Sequence, residues 1–509
     1  MNATNRVALN TGILYGRMIL TVGITLYTTR LVLSALGDVD YGIFNLIAGI
    51  ILMLSFLNNA MATATQRFLS FYQGKNDLVM QKKVFINSLL IHLFIAIFLV
   101  IVLEIVGLFF FHGLLNIPLN RVNAASAVYH FMSGTVFFTV LAVPFNGSLI
   151  AHENMLWVAV VNIVESLLKL GVAVLLFQVA GDKLISYGLL TALISVATFL
   201  LYAGYCFFKY EECKITSPIS IDKAMAKDLT SFAGWNLFGA LCGIGKTQGL
   251  AVLLNVFFGT VVNAAYGISN QVSGQLNFFS GTMLRAINPQ IMKSEGDNDR
   301  PRMIRLSLVA SKFGFLLLAI FAIPCIFEMH AILQFWLKNV PEYAVPFCCL
   351  ILVAFMVNQI TVGLDSAAQA TGKIKNYMLL VGSTKLMIIP VAYLLLKLDF
   401  SIYSVFYSYI ILEGLGGICR VYILNKLVDL SVKEYLTKVL MPLVLPLVIT
   451  ICVDYGIVYL SDSVYRPLFL LPISFFVMAI CVYFVGLVDY EKNMINKMVS
   501  KITSKFSSK

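Results

Sequence analysis

The stretch GILYGRMILTVGITLYTTRLVLSALG, Gly12–Gly37, decides how the chain is read. It is apolar over more than the ~20 residues that a helix needs to cross a bilayer, yet it carries Arg17 and Arg30. A cation in hydrocarbon costs at least about 2.5 kcal/mol, so such residues pair, snorkel to the interface or face a polar cavity. The stretch therefore predicts a transmembrane helix with a use for positive charge.

The rest of the chain has the same character. Its 509 residues are 60% hydrophobic and 12% charged, with a mean hydropathy of +0.89. Soluble proteins sit near half apolar and a quarter charged, so this is an integral membrane protein. A formal net charge of +11 suggests nucleic acid, but the basic residues lie in short loops between apolar runs, where they set topology. No nucleic-acid partner is expected. The nine cysteines are scattered, with no CxxC pair and no metal-ligand spacing, and read as small core hydrophobes. The N-terminus does not read as a cleavable signal, because Arg17 interrupts the apolar run and no small-residue cleavage site follows. No cofactor and no metal are expected.

A scan for apolar runs of about 20 residues gives about fourteen candidate helices, and uninterrupted runs in lipid are helical. They cover 12–34, 41–64, 86–111, 126–150, 155–180, 184–208, 232–257, 261–284, 307–329, 344–368, 378–397, 401–424, 441–460 and 467–488. The predicted fold class is all-α and polytopic. With the N-terminus inside, cytoplasmic loops outweigh the outside loops in Lys and Arg by about five to one, which puts both termini in the cytoplasm. The loops assigned outside are all short.

The chain also repeats itself. LGDVDYGIFNLIAGI (36–50) is echoed by FGTVVNAAYGISNQVSGQ (258–275), with Gly42, Ile43 and Asn45 matching Gly267, Ile268 and Asn270. GKND (74–77) matches GDND (296–299), and AHENML after the fourth helix parallels ATGKIK after the tenth. Six helices separate the copies, and an even number preserves orientation, so the repeat is parallel. The expected organisation is a six-helix lobe over 1–210, a cytoplasmic linker over 211–231, a second six-helix lobe over 232–425, and two further helices with a basic tail over 426–509. Two facing lobes related by a pseudo-two-fold form an alternating-access transporter with its site between them.

Six cations within the predicted spans are singled out as intramembrane charges: Arg17, Arg30, Lys169, Lys246, Lys312 and Lys385. Lys312, near the cytoplasmic end of its helix, is expected to snorkel. Lys169 follows Glu165 by four residues, the favourable order for an intrahelical pair. Arg30 approaches the outer interface, where snorkelling and function are both open. Lys246 is near the centre of the seventh helix and must face a cavity or a carboxylate. It belongs to GALCGIGKTQG, which differs from a nucleotide-binding P-loop because Ala240 stands where the motif needs glycine. Buried acids include Glu165, Asp365 and Glu413; each is a partner for a cation or a site for a coupling proton or sodium. Amides gather on the second helix of each lobe, with Asn58 and Asn59 in one and Asn270, Gln271 and Gln275 in the other, and Gln248 lies on the seventh helix. They serve either interhelical hydrogen bonds or a polar cavity wall that binds sugar hydroxyls.

The run TTRLVLSALGDVDYGIFNLIAGIILMLSFLNNAMATATQRFLSF (28–71) resembles the opening of the polysaccharide-export flippases of the multidrug/oligosaccharidyl-lipid/polysaccharide exporter superfamily. The likeness rests on Leu36-Gly-x-x-x-Tyr41-Gly42 and on the second-helix pattern ending Gln66-Arg67-Phe68. The resemblance implies a multi-pass protein of the bacterial cytoplasmic membrane that moves a polyprenyl-diphosphate-linked oligosaccharide from the inner to the outer leaflet. It also implies cations in the cavity, for which Arg17, Arg30, Lys246 and Lys385 are the candidates. An ion-coupled drug exporter of the same superfamily is the alternative, although it would favour acids over cations. A membrane polymerase or ligase would need a large outside loop with catalytic residues, and no HExxH or GxSxG motif is present. The chain is therefore not expected to be an enzyme.

Overall fold

The computed structural model describes residues 3–52, 55–111, 117–214, 221–337, 339–461, 463, 465–488, 491–492 and 496, with the side chains of 3–8 and 50–59 outside that description. Every regular element among the described residues is a helix. The apolar runs leave no other way to satisfy backbone N–H and C=O groups in lipid.

In chain order the helices are α1 Ala3–Leu52, α2 Ser55–Gly74, α3 Leu78–Phe109, α4 Val122–Leu141, α5 Val143–Ala151, α6 Met155–Leu175, α7 Lys183–Lys209, α8 Lys223–Phe258 and α9 Thr260–Gly296. There follow α10 Arg300–Phe327, α11 Met329–Leu337, α12 Ala344–Thr371, α13 Lys375–Leu386, α14 Ile388–Lys397, α15 Tyr403–Val428, α16 Val432–Tyr435, α17 Met441–Leu460 and α18 Arg466–Cys481. Among the described residues, twelve helical stretches are long and apolar enough to cross a membrane. The remaining two predicted spans are also helical. One is divided between the end of α1 and α2, and the other is α9, whose serines and amides lower its hydropathy. The predicted span 378–397 is split between α13 and α14 at Met387; Pro390 has no N–H to offer the carbonyl of Leu386.

The chain divides into two compact units, Ala8–Leu237 and Phe238–Lys509, the second also taking Met1–Val7. The division falls inside α8, which starts at Lys223 within the stretch expected as a linker.

Three backbone irregularities recur in both units, at the positions of the sequence repeat. Gly37 (φ 76°, ψ 171°) breaks α1, and Gly259 (φ 80°, ψ −167°) separates α8 from α9. That corner of φ/ψ space is closed to residues with a Cβ, so glycine is required at both. Asn76 and Asn298 both have positive φ (54° and 60°). Each is followed by an aspartate N-cap: Asp77 accepts from the N–H of Met80 at 3.0 Å and Asp299 from that of Arg302 at 3.1 Å. Glu153 and Gly372 form a third matched pair, at φ 58° and 77°.

In the first unit α4 packs between α3 and α7 over Phe44, Ile47, Leu103, Tyr129 and Met132. Arg121 ties three connections together, its fork donating to Asp40 at 2.8 Å and to Asp182 at 2.6 Å. In the second unit α9, α10 and α12 pack on one another. A Cβ at Gly363 of α12 would lie 2.4 Å from the Ser307 carbonyl oxygen of α10, so only glycine allows that approach. Phenylalanines and aliphatic residues such as Phe94, Phe98, Ile101 and Phe208 point outward, which suits lipid rather than water.

Lys312 corrects an expectation. It does not snorkel: its side chain is 1% exposed and its Nζ lies 2.5 Å from Glu491. Burying an ammonium this completely requires a carboxylate, and that carboxylate comes from the segment after the last helix.

Candidate functional site

Two helix faces of the second unit build the site. On α15, Tyr409, Glu413 and Arg420 are spaced by four and seven residues and share one face; on α12, Asn358, Thr361 and Asp365, three and four residues apart, also share one face. All six are mostly enclosed, so each charge needs a partner.

Lys246 of α8 finds its partner on α15. Its Nζ donates to Glu413 Oε1 at 2.8 Å and to the Tyr409 hydroxyl at 2.7 Å, and lies 4.4 Å from the centroid of the Tyr409 ring. Only 12% of the Lys246 side chain is exposed. Lys246 was a candidate cavity cation that had to face a cavity or a carboxylate; Glu413 is that carboxylate and neutralises it, which offsets the cost of burying the ammonium. Beside this pair, Arg420 Nε lies 3.0 Å from Asp365 Oδ1. The same guanidinium donates to Asn358 Oδ1 and Thr361 Oγ1, both at 2.8 Å, and the Tyr377 hydroxyl donates to Asp365. Asp365 and Glu413 are thus engaged by cations.

Lys385 sits among these groups, at the C-terminal end of α13 beside the break at Met387. It interacts electrostatically with Arg420, Asp365, Glu413 and Lys246. Among the described residues it makes no hydrogen bond and no ion pair. The cluster holds three cations, Lys246, Lys385 and Arg420, against two carboxylates, Asp365 and Glu413. Its formal charge is positive, and Lys385 is the uncompensated member.

The other predicted residues are distributed differently. In the first unit Arg17 is half-buried on α1 and interacts with Tyr202, which also senses Glu165. Glu165 accepts from Lys169 at 2.6 Å, the expected i,i+4 pair. Arg30 is exposed. The side chains of Asn58 and Asn59 lie outside the described residues. In the second unit Asn270 turns back to donate to the Tyr266 carbonyl of its own helix at 3.1 Å, whereas Gln248, Gln271 and Gln275 are exposed. No cluster of three metal-ligating side chains occurs among the described residues.

Sequence reading missed Arg420, which lies inside the twelfth predicted span, 401–424, and did not single out Tyr409, Tyr377 or Asn358. The usable signal was Arg420 seven residues after Glu413, two turns along the same face. Arg67, part of the second-helix pattern, is buried, with its guanidinium 4.5 and 4.6 Å from the rings of Phe68 and Phe71.

No family model matches the chain, and no curated protein matches it. Among solved structures it is similar to a mutant of MATE, with a TM-score of 0.72 and 14% identity over 84% of this chain and 97% of that one. MATE in complex with MaD3S matches with a TM-score of 0.73, also at 14% identity, with the same shares covered. A MOP superfamily transporter from Pyrococcus furiosus Vc1 (DSM3638) matches with a TM-score of 0.70 and 14% identity over 84% of this chain and 96% of that one. At such identity the likeness shows the fold: an all-α, multi-pass architecture of the MATE type.

Proposed function

We propose that the protein translocates a polyprenyl-diphosphate-linked oligosaccharide from the inner to the outer leaflet of a bacterial cytoplasmic membrane, by alternating access. The observation that carries this reading is Lys385, a membrane-embedded ammonium without a carboxylate in a cluster of net positive charge. A diphosphate diester is permanently anionic and cannot enter hydrocarbon alone. A fixed cation offsets its lost hydration, and the prenyl chain needs no aqueous path because it stays in lipid. The fold supports a transporter, and the resemblance of residues 28–71 to polysaccharide exporters supports the substrate class.

Asp365 and Glu413 are the acids for a coupling proton or sodium in this reading. A coupling cation has to compete there with Arg420 and Lys246, so binding an anionic headgroup at Lys385 favours its entry by offsetting the cluster's positive charge.

A second reading, export of a small molecule, is favoured by the likeness in fold to an outward-facing multidrug resistance transporter of the MATE family (TM-score 0.70, 14% identity). Deleting the gene and analysing membrane lipids separates the two. Accumulation of complete lipid-linked repeat units facing the cytoplasm is expected. An unchanged lipid-linked pool together with new drug sensitivity would establish the exporter instead.

A further inference from the structure

A cavity of about 380 Å³ opens between α9, α10 and α11 in the second unit, within the range of about 300–1,000 Å³ usual for small-molecule sites. Met329, Ile332 and Trp336 line it from one face of α11, Cys325 from the end of α10, and Gln271 and Gln275 from α9. It lies toward the end of α10 opposite Arg300, Arg302 and Arg305.

Three observations define what fits. Gln271 and Gln275 stand one turn apart, both exposed and both without a hydrogen-bond partner among the described residues. Each exposed amide offers two N–H donors and a carbonyl acceptor with no protein group among the described residues to meet them, so the pair suits a ligand or water rich in donors and acceptors. Trp336, 46% exposed, adds an aromatic side chain to the lining from α11. No lysine, arginine, aspartate or glutamate lines the cavity, which disfavours an anion or a cation. A neutral molecule with one apolar C–H face and a rim of hydroxyls satisfies all three, and that describes a sugar ring.

We infer that this cavity is a saccharide subsite, with Trp336 as the stacking platform and Gln271 and Gln275 as the hydroxyl-binding pair. It rests on the flippase reading and adds to it a place where the glycan, rather than the diphosphate, is recognised. Trp336 acting only as an interfacial anchor would leave sugar discrimination untouched, which makes the two roles separable.

The test uses the full-length protein in lipid nanodiscs and two probes: bare polyprenyl diphosphate, and the lipid-linked saccharide pool extracted from cells that make the protein. Native mass spectrometry reads the bound fraction of each. The unaltered protein is expected to prefer the saccharide-bearing lipid by about tenfold, the equivalent of about one hydrogen bond to a buried site. Trp336→Ala and the double variant Gln271→Leu/Gln275→Leu abolish the preference and leave bare diphosphate binding intact, whereas Trp336→Phe keeps most of it. If Trp336→Ala is not recovered folded, the glutamine double variant decides alone. Equal binding of the two probes by the unaltered protein, or an unchanged preference in the variants, overturns the subsite and spares the headgroup reading. Binding of neither probe overturns both.

Discussion

The ammonium of Lys246 on α8 lies 2.8 Å from the carboxylate of Glu413 on α15, 167 positions later in the chain. This pair converts the central lysine of the second unit from a free charge into half of a buried salt bridge, and leaves Lys385 as the cation without a counterion.

Breaking the pair from one side should be costly. Lys246→Met or Glu413→Leu alone strands a buried charge, a loss of about 3–5 kcal/mol in comparable pairs. The joint replacement Lys246→Met/Glu413→Leu should cost less than the sum of the two. Thermal unfolding in detergent, read as a double-mutant cycle, measures the coupling; simple additivity would show that the two do not act as a pair.

Lys385 should behave in the opposite way. Lys385→Met removes a charge that nothing in the cluster neutralises, so stability holds or rises while export of the lipid-linked glycan falls by at least about tenfold. Lys385→Arg should retain most activity. Glycan output equal to the parent's in Lys385→Met would remove this residue as the headgroup contact.

Gly37 and Gly259 should respond alike to alanine. Each substitution forces a Cβ into a region that only glycine occupies freely, at a cost of about 1–3 kcal/mol. Melting temperatures of the two single variants, compared side by side, check both the size of the effect and its equality across the repeat.

Acid should loosen the first unit through Asp182. Hydrogen bonding to Arg121, with help from the backbone N–H groups of Leu184 and Ile185, holds its carboxyl below the usual aspartate range. The folded-state pKa lies under the unfolded one, so this stabilisation is complete above about pH 4 and fades as pH falls further. Asp182→Asn should flatten the drop in melting temperature over that window relative to the parent, and an identical pH profile would contradict the coupling.

Much of the architecture was legible before any coordinates. Apolar length decides where helices lie, since a backbone in lipid has no other partner. The short matches 36–50 with 258–275 and 74–77 with 296–299 located the internal repeat, and the paired irregularities at Gly37 and Gly259, and at Asn76 and Asn298, carry it in the backbone. These are local properties, readable from neighbours in sequence.

Which charges are free was not local. Lys246 with Glu413, Arg420 with Asp365, and Lys312 with Glu491 join residues 167, 55 and 179 positions apart, and composition cannot say which cation meets which acid. The amino-acid sequence by itself determined a membrane-spanning, twice-repeated helical chain with more buried cations than its surroundings tolerate. Tertiary packing decided that Lys385 is the one left uncompensated, because counterion pairing depends on distances of a few ångströms between helices remote in the chain.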